Sequence, residues 1–127
     1  DIGLENQVVF LGYRRDISEI CAAVDIFAFP SKREGLGRAA LEAMASGLPI
    51  VTSNVHGIVD YSINGVTGYC CSPTDVSGFA WAIEKLAQNK ELRLKMGLHN
   101  KEIVKKYDIN LILNSLEEIY SKIFSDC

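Results

Sequence analysis

Residues 25–53 read DIFAFPSKREGLGRAALEAMASGLPIVTS, and the order of elements they spell decides the fold. Asp25-Ile26-Phe27-Ala28-Phe29 is a short apolar run closed by Pro30 and Ser31, the pattern of a buried strand. A polar loop follows, Ser31-Lys32-Arg33-Glu34-Gly35-Leu36-Gly37. Small and apolar residues from Arg38 to Ala45 predict a compact helix, stopped by Ser46-Gly47. Pro49-Ile50-Val51-Thr52-Ser53 is a second strand. Strands that are apolar on both faces and joined through a helix belong to a parallel sheet covered on both sides.

The same alternation continues in both directions. Upstream, Val8-Val9-Phe10-Leu11 reads as a buried strand ended by Gly12, and Arg15 to Val24 carries Ile17, Ile20, Cys21 and Val24 at helical spacing. Downstream, His56 to Ile63 is expected to form a short helix. Asn64-Gly65 is a turn signal, and Thr67-Gly68-Tyr69-Cys70-Cys71 is a further strand. The last third reads as three helices. The first runs from Val76 to Ala87 with Asp75 as its cap. The second runs from Glu91 to Lys106 and is weakened by Gly97. The third has Asp108 as its cap, with Ile109, Ile112, Leu113, Leu116, Ile119, Tyr120, Ile123 and Phe124 along one face. The expected architecture is a single α/β domain over residues 1–127, a doubly wound Rossmann-like parallel sheet with a helical C-terminal tail.

Composition excludes several function classes. Hydrophobic residues make up 48% of the chain and charged residues 23%, the balance of a globular domain rather than a disordered one. Sixteen acids against thirteen bases leave a net charge of −3, and the acid excess lies wholly in residues 1–74. That acid excess argues against a general nucleic-acid binder. The most apolar stretch, Cys21–Phe29, is short and interrupted by Asp25, far from the ~20 residues of a membrane span. The N-terminus lacks both a secretion signal and a Met, as if cut from a longer protein. Cys21, Cys70, Cys71 and Cys127 form no C-x-x-C pair and have no His at ligand spacing, so a metal site is not expected. Buried free thiols suit a reducing, cytoplasmic setting.

The chemistry concentrates at loop 31–37 and the helix behind it. In an open parallel sheet, ligands bind beyond the carboxyl ends of the strands. Gly35 and Gly37 let the chain turn there, and the following helix start offers unpaired N–H groups and a positive dipole end to an anion. Glu34 precedes the glycines, and Glu42 follows after seven intervening residues. Burying a carboxylate in so apolar a helix needs partners, and the hydroxyls of a vicinal diol such as ribose are suitable ones. Glu34 would take sugar hydroxyls in the same way. Spacing alone leaves the other reading open, with Glu42 facing solvent and Glu34 an ordinary loop acid.

The run Glu34-Gly35-Leu36-Gly37-Arg38-Ala39-Ala40-Leu41-Glu42-Ala43-Met44-Ala45-Ser46-Gly47-Leu48-Pro49-Ile50-Val51 resembles the Glu-x7-Glu signature of family 4 (group 1) glycosyltransferases, located in the C-terminal, donor-binding domain of the GT-B fold. Val9-Phe10-Leu11-Gly12, Ala23 to Ser31, and Gly57, Asp60, Asn64-Gly65 and Gly68-Tyr69 resemble further segments of that family in order. Two positions depart from it: His56-Gly57 stands for its usual Gly-Gly, and Asp60 for its usual Glu. The resemblance implies a retaining transferase that moves a hexose-type sugar from a nucleotide diphosphate sugar to an acceptor hydroxyl in polysaccharide or glycolipid biosynthesis. Glu34 would bind donor-sugar hydroxyls as the catalytic-site carboxylate. Gly35, Leu36, Gly37 and Arg38 would meet the sugar and diphosphate, and Glu42 the ribose. Gly12 and Tyr13 would lie near the base. No cofactor or metal is implied. The acceptor, a glycan or lipid-linked molecule, would sit on an N-terminal domain outside this chain, as would the family's diphosphate-binding Arg and Lys. None of Arg14, Arg15, Lys32 or Arg33 matches those two. Relatives with lipid-linked acceptors imply peripheral contact with the inner membrane face. Two rival readings are a stand-alone nucleotide-sugar binding module without catalysis and an interaction scaffold using Lys101, Lys105 and Lys106.

Overall fold

The computed structural model describes residues 2–125. Three strands, β1 (Phe27–Phe29), β2 (Ile50–Ser53) and β3 (Gly68–Cys71), form one parallel sheet in the order β1-β2-β3. Phe27 pairs with Ile50, and Ile50 in turn with Gly68. The helices are α1 (Ile17–Ala22), α2 (Arg38–Ala45), α3 (Val76–Ala87), α4 (Lys90–Val104) and α5 (Ile109–Ser125), with a 3-10 turn over Lys105–Tyr107.

Every residue of the central strand β2 is buried, because the sheet has a core on each face. Successive strand side chains point to opposite faces, so Ile50 joins Cys21, Ala40, Met44, Ile58 and Tyr61 on one side. Val51 joins Tyr69, Cys71, Ala82, Leu86 and Met96 on the other. The α/β class and parallel sheet expected from residues 25–53 are present. The Asp75 side chain caps α3 by accepting the Gly78 N–H at 2.9 Å, and Asp108 accepts the Asn110 N–H at 2.8 Å as α5 begins.

Two expected elements do not form. Val8–Leu11 is not a strand: its side chains are exposed, Phe10 to 93%, and the nearby backbone closes a turn instead, with Gln7 and Val8 N–H bonded to the Leu4 carbonyl. Strand propensity needs a paired edge to act on, and no ladder joins this segment to β1. Residues 56–63 are not a helix either. Gly57 sits at φ +80°, which interrupts helical dihedrals, and the segment folds as tight turns closed by bonds such as Val59 N–H to Val55 O and Ser62 N–H to Ile58 O.

Gly97, a weak point for a helix in sequence terms, is where α4 needs it. A Cβ there would stand 2.1 Å from the Gly47 carbonyl oxygen, so the missing side chain lets α4 seat against the end of α2. One turn later, buried Asn100 donates through Nδ2 to Leu48 O at 2.6 Å and Thr67 O at 2.8 Å, tying α4 to the segments that enter β2 and β3.

Candidate functional site

Because β1 and β2 are parallel neighbours, the loops leaving them, residues 30–37 and 54–67, emerge side by side at one sheet edge. The first loop carries the candidate residues. Gly37 ends it in a left-handed conformation, φ +71°, as the N-cap of α2, and no side chain caps that helix. The Gly37 carbonyl accepts from the Ala40 and Leu41 amides. Among the described residues, the N–H groups of Leu36, Gly37, Arg38 and Ala39 have no hydrogen-bond acceptor. Unbonded amides at the start of an uncapped helix, at the positive end of its dipole, are the arrangement that suits an anion.

The two carboxylates sit differently. Glu34 is half-buried, and its Oε1 accepts the Gly35 N–H at 3.2 Å. It lines a cleft of about 410 Å³ with Lys32, Arg33, Asn54 and His56. Glu42 is not buried in the apolar face of α2; Ala40, Leu41, Ala43 and Met44 occupy that face. The Glu42 side chain keeps 44% of its exposure and pairs at 3.5 Å with Arg38, itself 85% exposed. The burial cost reasoned from sequence therefore does not arise, because helical periodicity turns positions 38 and 42 outward together. Glu42 still stands at a ligand-sized place. It lines a cleft of about 570 Å³ with Leu36, Arg38, Leu41 and Tyr107. It also lines one of about 430 Å³ with Arg15, Ser18, Cys21 and Ala45. Loop 34–37 thus lies between the Glu34 cleft and the Glu42 clefts. Gly12 and Tyr13 line none of the three, and Tyr13 is 86% exposed.

Sequence reasoning missed the support beneath this loop. Tyr61 is fully buried, and its hydroxyl donates to the Leu36 carbonyl at 2.8 Å. Its ring packs edge-on against Tyr107, centroids 5.9 Å apart. Burial, then the negative charge of Glu34, then Tyr107 push the phenol up to about 12, so it remains a donor throughout the neutral range. Gly57 closes the other side: a Cβ on it would fall 1.7 Å from the Gly35 carbonyl oxygen. Nothing in the spacing around Tyr61 signalled a contact 25 residues upstream.

The described cysteines are free thiols. Cys21 and Cys71 are buried and Cys70 partly so, while Cys127 lies outside the described residues. Burial, then Asp75, then Cys70 raise the Cys71 thiol above its ordinary value. No cluster of three or more metal-ligating side chains occurs among the described residues, and no described helix is long and apolar enough to cross a membrane.

Known proteins resemble the chain in sequence and fold. It is 34% identical over 116 residues to a capsular polysaccharide biosynthesis glycosyltransferase of Staphylococcus aureus, covering 90% of this chain and 30% of that protein. It is 32% identical over 127 residues to an N-acetyl-alpha-D-glucosaminyl L-malate synthase of Bacillus anthracis, covering 99% and 33%. The Anabaena protein HepE, solved in complex with UDP and with UDP-glucose, matches at 30% identity, with TM-scores of 0.90 and 0.89 over 94% of this chain and 34% of that one. The chain spans about a third of the length of these relatives. Residues 1–103 match the family described as glycosyl transferases, group 1. With that match, and an α/β fold shared with solved GT-B members, the chain belongs to the group 1 glycosyl transferases.

Proposed function

We propose that this chain is the donor-binding, C-terminal domain of a retaining glycosyltransferase of the family 4 type. It holds a nucleotide diphosphate sugar while a hexose-type unit passes to an acceptor hydroxyl, in polysaccharide or glycolipid assembly. One observation carries the reading: the Glu34-x7-Glu42 frame brackets an uncapped helix start whose four leading amides are unbonded, at the carboxyl edge of a parallel sheet. HepE, 30% identical, binds UDP and UDP-glucose.

In this reading Glu34 accepts hydroxyls of the donor sugar, and the amides from Leu36 to Ala39 face the diphosphate. Glu42 takes the ribose diol, exchanging its exposed pairing with Arg38 for two hydroxyl donors; surface ion pairs of that kind hold little energy. Arg38, released, adds positive charge beside the phosphates. Gly12 and Tyr13 lie toward the base.

The bond from the anomeric carbon to the phosphate oxygen breaks with its electron pair leaving on the diphosphate. The acceptor hydroxyl oxygen forms the new bond at the same carbon, and its proton passes to the departing diphosphate oxygen. Negative charge grows on the leaving group where the helix dipole and fixed amides already point, so no reorganisation is needed to receive it. The reading assigns that task to backbone rather than to a metal. The acceptor, a glycan or lipid-linked molecule, sits on a further domain.

Ligand-detected NMR against UDP, GDP and ADP, followed by amide spectra of the ¹⁵N-labelled protein, tests the reading. At least one should bind, compete with its nucleotide sugar, and shift the amides of residues 36–39. Absence of binding by all three would overturn it.

A further inference from the structure

We propose that Tyr61 is a positioning residue for the donor loop: its hydroxyl holds the Leu36–Gly37 peptide so that the Gly37 N–H is aimed at the donor diphosphate. The inference rests on the donor-site reading above. Its physical basis is the planarity of the peptide bond. In a trans peptide the carbonyl of one residue and the N–H of the next point to opposite sides of the chain. The Leu36 carbonyl is drawn onto the Tyr61 hydroxyl at 2.8 Å, so the Gly37 N–H is turned to the far side. The preceding peptide is set the same way. Its Gly35 carbonyl lies against Gly57, where a Cβ would come within 1.7 Å of the oxygen, and the Leu36 N–H is turned from that contact.

Two features make the tether firm. Tyr61 has no exposed surface, its ring is held by the edge-on contact with Tyr107, and a buried hydroxyl must keep a partner. The Leu36 carbonyl is that partner, with the Gly37 carbonyl at 3.4 Å as a longer alternative. The loop contains two glycines and has no side-chain cap at its helical end; its own hydrogen bonds, Ser31 Oγ to Arg33 O and Gly35 N–H to Glu34 Oε1, leave the Leu36–Gly37 peptide to Tyr61. Peptide planes that must meet a charged group are worth more when orientation is fixed before binding. Tyr61, in the second loop, thereby acts on the diphosphate through the first loop.

The test uses Tyr61→Phe and Tyr61→Leu in the intact, ¹⁵N-labelled protein, titrated with whichever of UDP, GDP or ADP binds the wild type. Tyr61→Phe keeps the ring and removes only the hydroxyl. It should leave resonances remote from the loop unchanged, weaken diphosphate binding by about 3- to 10-fold, and reduce the ligand-induced shift of the Gly37 amide proton. If Tyr61→Phe binds as tightly as wild type with the same Gly37 shift while Tyr61→Leu loses binding, Tyr61 is only a core residue and the inference is overturned. If the wild type binds none of the three nucleotides, the donor-site reading fails first, and the inference falls with it.

Discussion

Glu34 and Glu42 bear the same charge on the same short stretch, yet their surroundings differ, and the proposed reading gives them different work. Glu42 is half-exposed and paired with Arg38; in the proposed reading it would hold a group that does not change during reaction. Glu42→Ala should weaken donor binding by about 1.5–3 kcal/mol and raise KM more than it lowers kcat. Glu34, half-buried against its own loop, would face the sugar as its ring gains positive charge. Glu34→Gln preserves shape and removes charge, so it should lower kcat with a smaller change in KM. Steady-state kinetics of both variants on one nucleotide sugar decide the matter; unchanged kcat in Glu34→Gln, or normal donor binding in Glu42→Ala, contradicts these roles. The cysteines make a separate residue-scale expectation. Freshly purified protein, denatured and reacted with a chromogenic thiol reagent, should titrate four thiols. Cys21 and Cys71 should react only after unfolding, since both are buried and the Cys71 thiol is also raised by its surroundings.

At the scale of elements, the sheet is held at its amino end by one side chain from α4. Asn100 donates to the Leu48 and Thr67 carbonyls; Thr67 O also accepts the Ile50 N–H, whereas Leu48 O is described with Asn100 alone. Asn100→Ala should therefore destabilise the fold by about 1–3 kcal/mol, the cost of a buried polar group left without its partner. Urea denaturation measures it, and a change below about 0.5 kcal/mol, the range of ordinary surface substitutions, would contradict the role. Gly97→Ala should also destabilise, although alanine is the better helix former. A Cβ 2.1 Å from the Gly47 carbonyl oxygen forces α4 and α2 apart, and at this position packing outweighs propensity.

For the whole molecule, the notable surface is the apolar side of α5. Ile112, Leu113, Leu116, Ile119 and Ile123 recur at helical spacing, yet all remain substantially exposed. Phe10 and its neighbours are also exposed. Contiguous apolar surface of this kind binds amphiphilic dyes. Produced alone, the 127-residue chain should enhance anilinonaphthalene sulfonate fluorescence, and Leu116→Glu with Ile119→Glu should reduce that signal without loss of helical circular dichroism. The same chain should bind a nucleoside diphosphate yet show no sugar transfer, because it spans about a third of the length of its relatives and, in the proposed reading, the acceptor sits on a further domain. Measurable transfer to an acceptor by the isolated chain would contradict this.

Local chemistry was sufficient for much of this. The apolar runs at 27–29, 50–53 and 68–71, the caps Asp75 and Asp108, and the Glu34-x7-Glu42 frame depend on neighbours within a few residues, and each was legible in the order of amino acids. Other features were decided by partners distant in sequence. Val8–Leu11 has strand composition, but a strand exists only where a ladder pairs it. Residues 56–63 have helical composition, but Gly57 must adopt φ +80° to pass the Gly35 carbonyl. Spacing left Glu42 either buried or facing solvent, and helical phase turns it outward beside Arg38. The hydroxyl of Tyr61 meets Leu36 only because parallel pairing of β1 and β2 sets their two loops side by side. Sequence determined the three paired strands, the helix caps and the Glu34-x7-Glu42 frame. Tertiary structure decided which backbone groups are held and which are left open, since that depends on contacts between segments that no local pattern encodes.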